Sequence, residues 1–196
     1  PKPYITSTIR QALNPDPSVL PPDVISVFKK VYFLIELCRI LDIKLDDEDA
    51  QALYELVLRF QNRDRGFGHK RSTLIETAQA LKVLRWLEIM GEDRDGSSND
   101  AAWGMAGDFV ELCEDPLYGF VNVPMTRPGY IEDIHAGLEA SCVLGRKPHH
   151  VIQCQSYVLA CRNANGGFAR SMAGTANLEN THYAVRAILI LGRFLS

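Results

Sequence analysis

Apolar residues along most of this chain recur at three- and four-residue steps, the period of a helix that buries one face. Val27, Val31, Leu34, Ile35, Cys38 and Leu41 keep that step after Pro21-Pro22, a pair suited to a helix start. Asp46-Asp47-Glu48-Asp49 opens a second helix, because acids complement the positive end of the helix dipole. It runs through Leu53, Leu56, Val57 and Phe60 and stops near Asn62. A third helix, Thr73 to Met90, carries Leu74, Thr77, Leu81, Leu84 and Leu87, and Gly91 follows as a good terminator. Residues 92–98 form an acidic, Gly/Ser-rich loop. A fourth helix runs from Asn99 to about Cys113, ahead of Asp115-Pro116, and a fifth from Tyr130 to Leu144, stopped by Gly145. The sixth follows Pro148 and reaches about Arg162, and the seventh covers Leu178 to Leu195. No run alternates as a strand would, so the pattern predicts an all-α protein.

Three segments share one grammar: a helix, a Gly-Phe loop, then a more apolar helix. The loops are Phe60-Gln61-Asn62-Arg63-Asp64-Arg65-Gly66-Phe67-Gly68, Glu114-Asp115-Pro116-Leu117-Tyr118-Gly119-Phe120 and Cys161-Arg162-Asn163-Ala164-Asn165-Gly166-Gly167-Phe168. They lead into Leu74-Ile75-Glu76-Thr77, Tyr130-Ile131-Glu132-Asp133 and Leu178-Glu179-Asn180-Thr181. Gly66, Gly119 and Gly167 recur at about fifty residues, a spacing typical of stacked helical hairpins. Glycine allows the positive φ of a tight exit, and the neighbouring Phe is placed to pack between hairpins. The pattern divides the chain into an N-terminal extension, 1–21, and one domain, 22–196, of about three and a half hairpins.

Composition narrows the function. With 46% hydrophobic and 23% charged residues over 196 positions, the chain is globular and long enough to bury a core without disulfides. Lys plus Arg is 21 against 24 for Asp plus Glu, a net charge of −3, which supports neither a nucleic-acid scaffold nor a polybasic membrane anchor. Apolar stretches such as Val31–Ile35 end at charges (here Glu36), far short of a membrane span. Cys38, Cys113, Cys142, Cys154 and Cys161 are odd in number and form no CxxC pair, so we expect reduced, buried thiols and a cytoplasmic home. No secretory signal pattern is present, and a start at Pro1 without Met leaves a trimmed chain open.

The Gly-Phe loops, with the run from Leu178 to Gly192, resemble the repeats of protein prenyltransferase β subunits and squalene/terpene cyclases. The resemblance covers about 22–196 and implies an α/α toroid whose inner helices line an apolar cavity. The chain supplies four inner helices (near 22–42, 73–90, 130–144 and 178–195) and three outer ones, a partial ring. A fragment, a homodimer or a partner subunit would account for the remainder.

In the prenyltransferases the resemblance implies zinc held by an Asp, a Cys two residues on and a His one repeat later. Asp133 stands at the Asp position, His135 replaces the Cys, and Asn180 takes the His position with His182 two residues beyond. Asp133, His135 and His182 are the expected metal or polar constellation that activates the acceptor, although residues two apart on a helix face different ways. Plain alternatives are a first-turn acid and two cavity-lining histidines. The resemblance also assigns the diphosphate of an isoprenoid donor to cations between loop and inner helix. Lys70, Arg71, Arg127 and Arg170 occupy those places, near helix N-termini that favour anions, and the alternative is that they are solvated.

Asp46-Asp47-Glu48-Asp49 resembles the acid run of class II cyclases but precedes an outer helix, so we expect a solvated N-terminus. Asp93 and Asp95 are read as loop acids. Glu76, Glu132 and Glu179 are read as one structural position repeated in each hairpin. Tyr32, Phe33, Trp86, Trp103, Tyr157 and Tyr183 line an isoprenoid pocket or belong to the core. The leading expectation is a prenyltransferase-like protein that binds an isoprenoid diphosphate and transfers its prenyl group. A non-catalytic half-toroid assembly module stands second and a terpene cyclase third.

Overall fold

The computed structural model describes residues 27–90 and 99–195, with Tyr4, Ser7 and Thr8 ahead of them; the side chains at 27–28, 89–90 and 99–104 are not described. Its helices are α1 (Val27–Ile40), α2 (Asp47–Leu58), α3 (Leu74–Met90), α4 (Asn99–Leu112), α5 (Ile131–Leu144), α6 (Val151–Ala160) and α7 (Leu178–Leu195). The inner helices pack in chain order, α1 on α3, α3 on α5 and α5 on α7. Outer helices α2, α4 and α6 sit behind them, each against its own hairpin's inner helix. The predicted all-α, toroid-type arrangement of hairpins is the one observed. Apart from Tyr4, Ser7 and Thr8, residues 1–26 fall outside what is described, as do 91–98, Asp93 and Asp95 among them.

Each Gly-Phe loop is closed by an antiparallel bridge that the period count does not anticipate. Gln61 pairs with Phe67, Arg162 pairs with Phe168, and in the middle hairpin the short strands β1 (Glu114–Asp115) and β2 (Gly119–Phe120) pair Glu114 with Phe120. This is why α2 and α6 end earlier than their apolar periodicity suggests. The last residues of each pattern leave the helix to form the bridge. The same bonds recur in each loop: the N–H after the Phe donates back across the loop, Gly68 to Phe60 O, Val121 to Cys113 O and Ala169 to Cys161 O. In the first and third hairpins the Phe N–H donates to a threonine of the inner helix, Phe67 to Thr77 Oγ1 at 2.9 Å and Phe168 to Thr181 Oγ1 at 3.0 Å.

Those bonds fix the register between repeats and correct one alignment. Thr77 and Thr181 are equivalent, so Glu76 corresponds to Asn180; the matching bonds of the Leu74 and Ile131 N–H groups add Asp133 to that position, and Glu132 and Glu179 stand one residue earlier. Glu76, Asp133 and Asn180 all serve the helix start: Glu76 Oε2 accepts Thr73 Oγ1–H, Asp133 Oδ2 accepts the Tyr130 N–H, and the Asn180 N–H donates to Asn177 Oδ1. Successive hairpins are joined through this same turn. The first helical N–H of α3, at Leu74, donates to Asn122 O at 2.7 Å, and that of α5, at Ile131, donates to Arg170 O at 3.1 Å. Asn122 and Arg170 each lie two residues beyond their loop Phe.

Phe67, Phe120, Leu53, Leu74, Leu81, Ile131, Ile134 and Leu138 are among the fully buried side chains between the two layers. Cys38, Cys113, Cys154 and Cys161 are buried and Cys142 half-buried. Burial pushes Cys154 up to about 12 and Cys161 to about 11, so these thiols are packing residues at neutral pH.

Candidate functional site

The concave face of α1, α3, α5 and α7 encloses a cavity of about 920 Å³. Tyr32 and Phe33 line one side, Ile75 and Ala78 the back, and His182 and Tyr183 the other side. Its charged lining comprises Lys29, Lys82 and Arg170 against Glu132, Glu139 and Glu179.

Midway along the inner helices a charge cluster centred on one carboxylate ties all four together. Glu139 Oε1 accepts from Arg186 Nη2 of α7 at 2.7 Å and stands 3.4 Å from His135 Nε2, while Glu139 Oε2 lies 3.2 Å from Lys82 Nζ of α3. Lys82 in turn donates to Tyr32 Oη of α1 at 2.8 Å and stands 3.7 Å from Glu36. Burial alone would raise the Glu139 pKa. His135, Lys82 and Arg186 outweigh it and hold the carboxyl well below the usual carboxylate range. Lys82 follows the same logic with opposite sign: burial works to lower it, and Tyr32, Glu139 and Glu36 keep it above its ordinary value. Sequence reasoning misses Lys82, Glu139 and Arg186. The available signal was a charge set between apolar neighbours on an inner helix, as in Leu81-Lys82-Val83 and Leu138-Glu139-Ala140.

The structure brings together only part of the predicted constellation. His135 and His182 both line the cavity with ring centroids 6.3 Å apart, and Tyr183 stands 5.1 Å from His135. Asp133 does not join them. Its side chain is 2% exposed and turned into the helix start, where Oδ2 accepts the Tyr130 N–H at 2.9 Å. Among the described residues no group of three or more His, Cys, Asp and Glu is placed to hold a metal ion. The residues present therefore do not fit the zinc that the resemblance implies. The two-residue spacing on a regular helix sends Asp133 and His135 to different faces.

Burial pushes Asp133 up to about 7 from its usual 3.8, with Glu132 adding to the rise and the Tyr130 N–H and Arg170 opposing it. A carboxyl raised on folding binds more protons in the native state, so between pH 3.8 and about 7 stability falls as pH rises. Asp133→Asn keeps an acceptor for Tyr130 and removes the titration. We expect its urea midpoint to exceed that of the wild type at pH 8 and the gain to vanish near pH 4. A gain of equal size at both pH values would show that the charge is not the cause.

The predicted cations also divide. Arg170 reaches the cavity, where its Nε donates to Glu132 Oε1 at 2.6 Å and its guanidinium lies 3.9 Å from the Tyr130 ring centre. Arg127 instead pairs with Asp115 Oδ2 at 3.2 Å in its own loop, and Lys70 and Arg71 are exposed. None of these three lines the cavity. Lys29, at the first turn of α1, does so unannounced by the sequence. Asp46 caps α2 by accepting the Asp49 N–H, on the outer layer as expected. Among the aromatics, Tyr32, Phe33 and Tyr183 line the cavity, whereas Trp86 and Tyr157 pack with the core. The Trp103 side chain lies outside the described residues.

No helix of the described residues is long and apolar enough to cross a membrane. No curated protein matches the chain in sequence. Among solved structures it is similar to Candida albicans protein geranylgeranyltransferase-I complexed with GGPP, with a TM-score of 0.66 and 15% identity. The match covers 96% of this chain and 59% of that one, and at such identity it speaks to the fold. The prenyltransferase alpha-alpha toroid domain model matches residues 9–196. With the paired layers, the repeated Gly-Phe loops and the inner-helix cavity, that match places this chain in the prenyltransferase α/α-toroid domain family.

Proposed function

We propose that the concave cavity binds an isoprenoid diphosphate and that the chain belongs to a prenyl-transferring protein. The observation that carries this reading is the make-up of the cavity wall. Tyr32, Phe33, Ile75, Ala78, Ala136 and Tyr183 offer an apolar and aromatic surface, with Lys29 and Arg170 at the end where the inner helices begin. Helix N-termini at that end favour an anion, and its volume falls within the roughly 300–1,000 Å³ of small-molecule sites. The similar fungal enzyme was solved with GGPP, which agrees with this class of ligand. The diphosphate would sit with Arg170 and Lys29 and the prenyl chain along the aromatic wall. His135 and His182 are then the groups placed to take a proton from an acceptor.

A second reading has one observation in its favour. The cavity carries as many carboxylates as cations, and Arg170 and Lys82 are already paired with Glu132 and Glu139. A member that has kept the fold without transferring a prenyl group would look like this. The two readings part on charge. If the diphosphate is held as proposed, Arg170→Ala weakens farnesyl diphosphate binding at least about tenfold and leaves farnesol binding unchanged. Glu132→Gln, which frees Arg170 from its carboxylate, strengthens diphosphate binding. Equal affinities for all three proteins, read by isothermal titration, would remove Arg170 from the site.

A further inference from the structure

The net charge of −3 averages over two unlike parts of the chain. The Gly-Phe loops with their lead-ins to the inner helices, residues 59–73, 113–130 and 161–177, carry eight Lys or Arg against three Asp or Glu, and the rest of the chain carries 13 against 21. The first loop supplies most of the surplus and the third extends it. Bonds between neighbouring loops set these segments side by side at one end of the arc. The Leu74 and Ile75 N–H groups donate to Asn122 O and Oδ1, and the Ile131 N–H donates to Arg170 O.

The loop acids are spent on the loops and their neighbours. Asp64 accepts Ser72 Oγ–H and the Gly66 N–H, and Glu114 accepts the His149 and His150 N–H groups. Asp115 accepts the Leu117 and Tyr118 N–H groups and pairs with Arg127. Arg63, Arg65, Lys70, Arg71 and Arg162 are exposed, and no carboxylate of the described residues pairs with them. The same loops hold apolar side chains out into solvent: Leu117 is 58% exposed, Met125 101% and Met172 61%. Met125 stands two residues before Arg127 and Met172 two after Arg170. Phe67, Phe120 and Phe168 are buried beneath, so anchored loops present these tips.

We propose that this end of the molecule docks reversibly on an anionic lipid bilayer, with the cations against the headgroups and Leu117, Met125 and Met172 in the interfacial layer. The pairing of the two features carries the choice. A polyanion such as RNA would take the cations and leave the apolar tips unused, and a protein partner would call for a contiguous apolar centre, not single side chains on separate loops. A bilayer takes both, through its surface potential and its apolar interface. The surface also lies on the ends of successive hairpins, so hairpins added at either edge of the arc would extend it without covering it. The cavity begins at this end, with Ile75, Arg170 and Asn177 in its wall, and a docked molecule holds that part of the cavity against the lipid.

Co-sedimentation with sucrose-loaded vesicles tests this. In about 0.1 M NaCl the chain should partition onto phosphatidylcholine vesicles holding about 30% phosphatidylserine at least about tenfold better than onto phosphatidylcholine alone, and about 0.5 M NaCl should remove the difference. Each cation near such a surface is worth roughly fivefold, so Lys70→Ser with Arg71→Ser should lower partitioning at least about tenfold. Met125→Asn with Met172→Ser should weaken binding to the same vesicles without altering its salt dependence. All these side chains are exposed, so helical circular dichroism should be unchanged in both variants. Equal partitioning of the wild type onto the two kinds of vesicle would overturn the proposal. So would unchanged binding by the Met125→Asn, Met172→Ser variant, which with capture of a short RNA duplex would mark this end as a nucleic-acid surface instead. None of these outcomes depends on whether the cavity binds a prenyl diphosphate.

Discussion

Glu139→Ala is expected to be among the most damaging single changes on the concave face, costing about 3–5 kcal/mol of stability, the usual penalty when one partner of a buried ionic cluster is removed. Its carboxylate faces Lys82, His135 and Arg186, and its own side chain is only 10% exposed. Truncation leaves Lys82 charged in a half-buried position with Tyr32 and a distant Glu36 as its remaining partners. For a chain of this length the melting temperature should fall by roughly 6–20 °C, at about 2–4 °C per kcal/mol. Glu139→Gln keeps an acceptor for Arg186 and should lose less. The pH dependence carries a definite sign. The folded pKa of Glu139 lies below its usual 4.5, so its contribution is complete above that pH and is lost as pH falls through the folded value. Acid unfolding of Glu139→Gln should therefore be shallower than that of the wild type. Parallel acid transitions in the two proteins would show that the cluster does not hold the helices together.

The second large effect lies in the loop. Phe120→Ala should destabilise by about 3–5 kcal/mol, because the ring is fully buried between layers and leaves a cavity behind. The same site can be disturbed from the other side. A Cβ added at Gly137 of α5 would overlap Cγ, Cδ1 and Cδ2 of Phe120, and that ring has no solvent to move into. Gly137→Ala should cost about 1–3 kcal/mol through overpacking, even though alanine is the better helix former and the equivalent positions of α3 and α7 are Ala80 and Ala184. The two changes should also be coupled. With Phe120 reduced to alanine the new methyl group has room, so the double variant should be less damaged than the sum of the singles. Additive losses in urea unfolding would mean that the Phe ring and Gly137 are not in contact.

How much of this was legible beforehand follows from the physics of each feature. Helix periodicity marks the seven helices of residues 27–195 because each buries one stripe, and Gly145 after Leu144 marks an end that the αL cap, φ 64°, realises. The repeat was legible because the same small loop is built three times. Its register was not, since Glu76, Glu132 and Glu179 look alike in sequence and the bonds of Thr77, Thr181, Leu74 and Ile131 tell which positions match. The site was read less well. Carrying Asp133 into a metal role followed a family position, but the departure at His135 had already removed the thiolate, and Asp133 spends its carboxylate on the helix start. Loop position alone points to Arg127, whose partner Asp115 stands in the same loop, 12 residues before it. No local pattern reports Lys82, Glu139 and Arg186, because their chemistry depends on three helices meeting.

The measurement that bears most directly on the proposed function is isothermal titration of the purified chain with farnesyl diphosphate, geranylgeranyl diphosphate, farnesol and inorganic pyrophosphate. Our account predicts saturable micromolar binding of both prenyl diphosphates, weaker binding of farnesol, and weaker binding of pyrophosphate, since the cavity joins an aromatic wall to the cations at its mouth. Absence of heat from either prenyl diphosphate, with the protein folded and at its native assembly state, would contradict it.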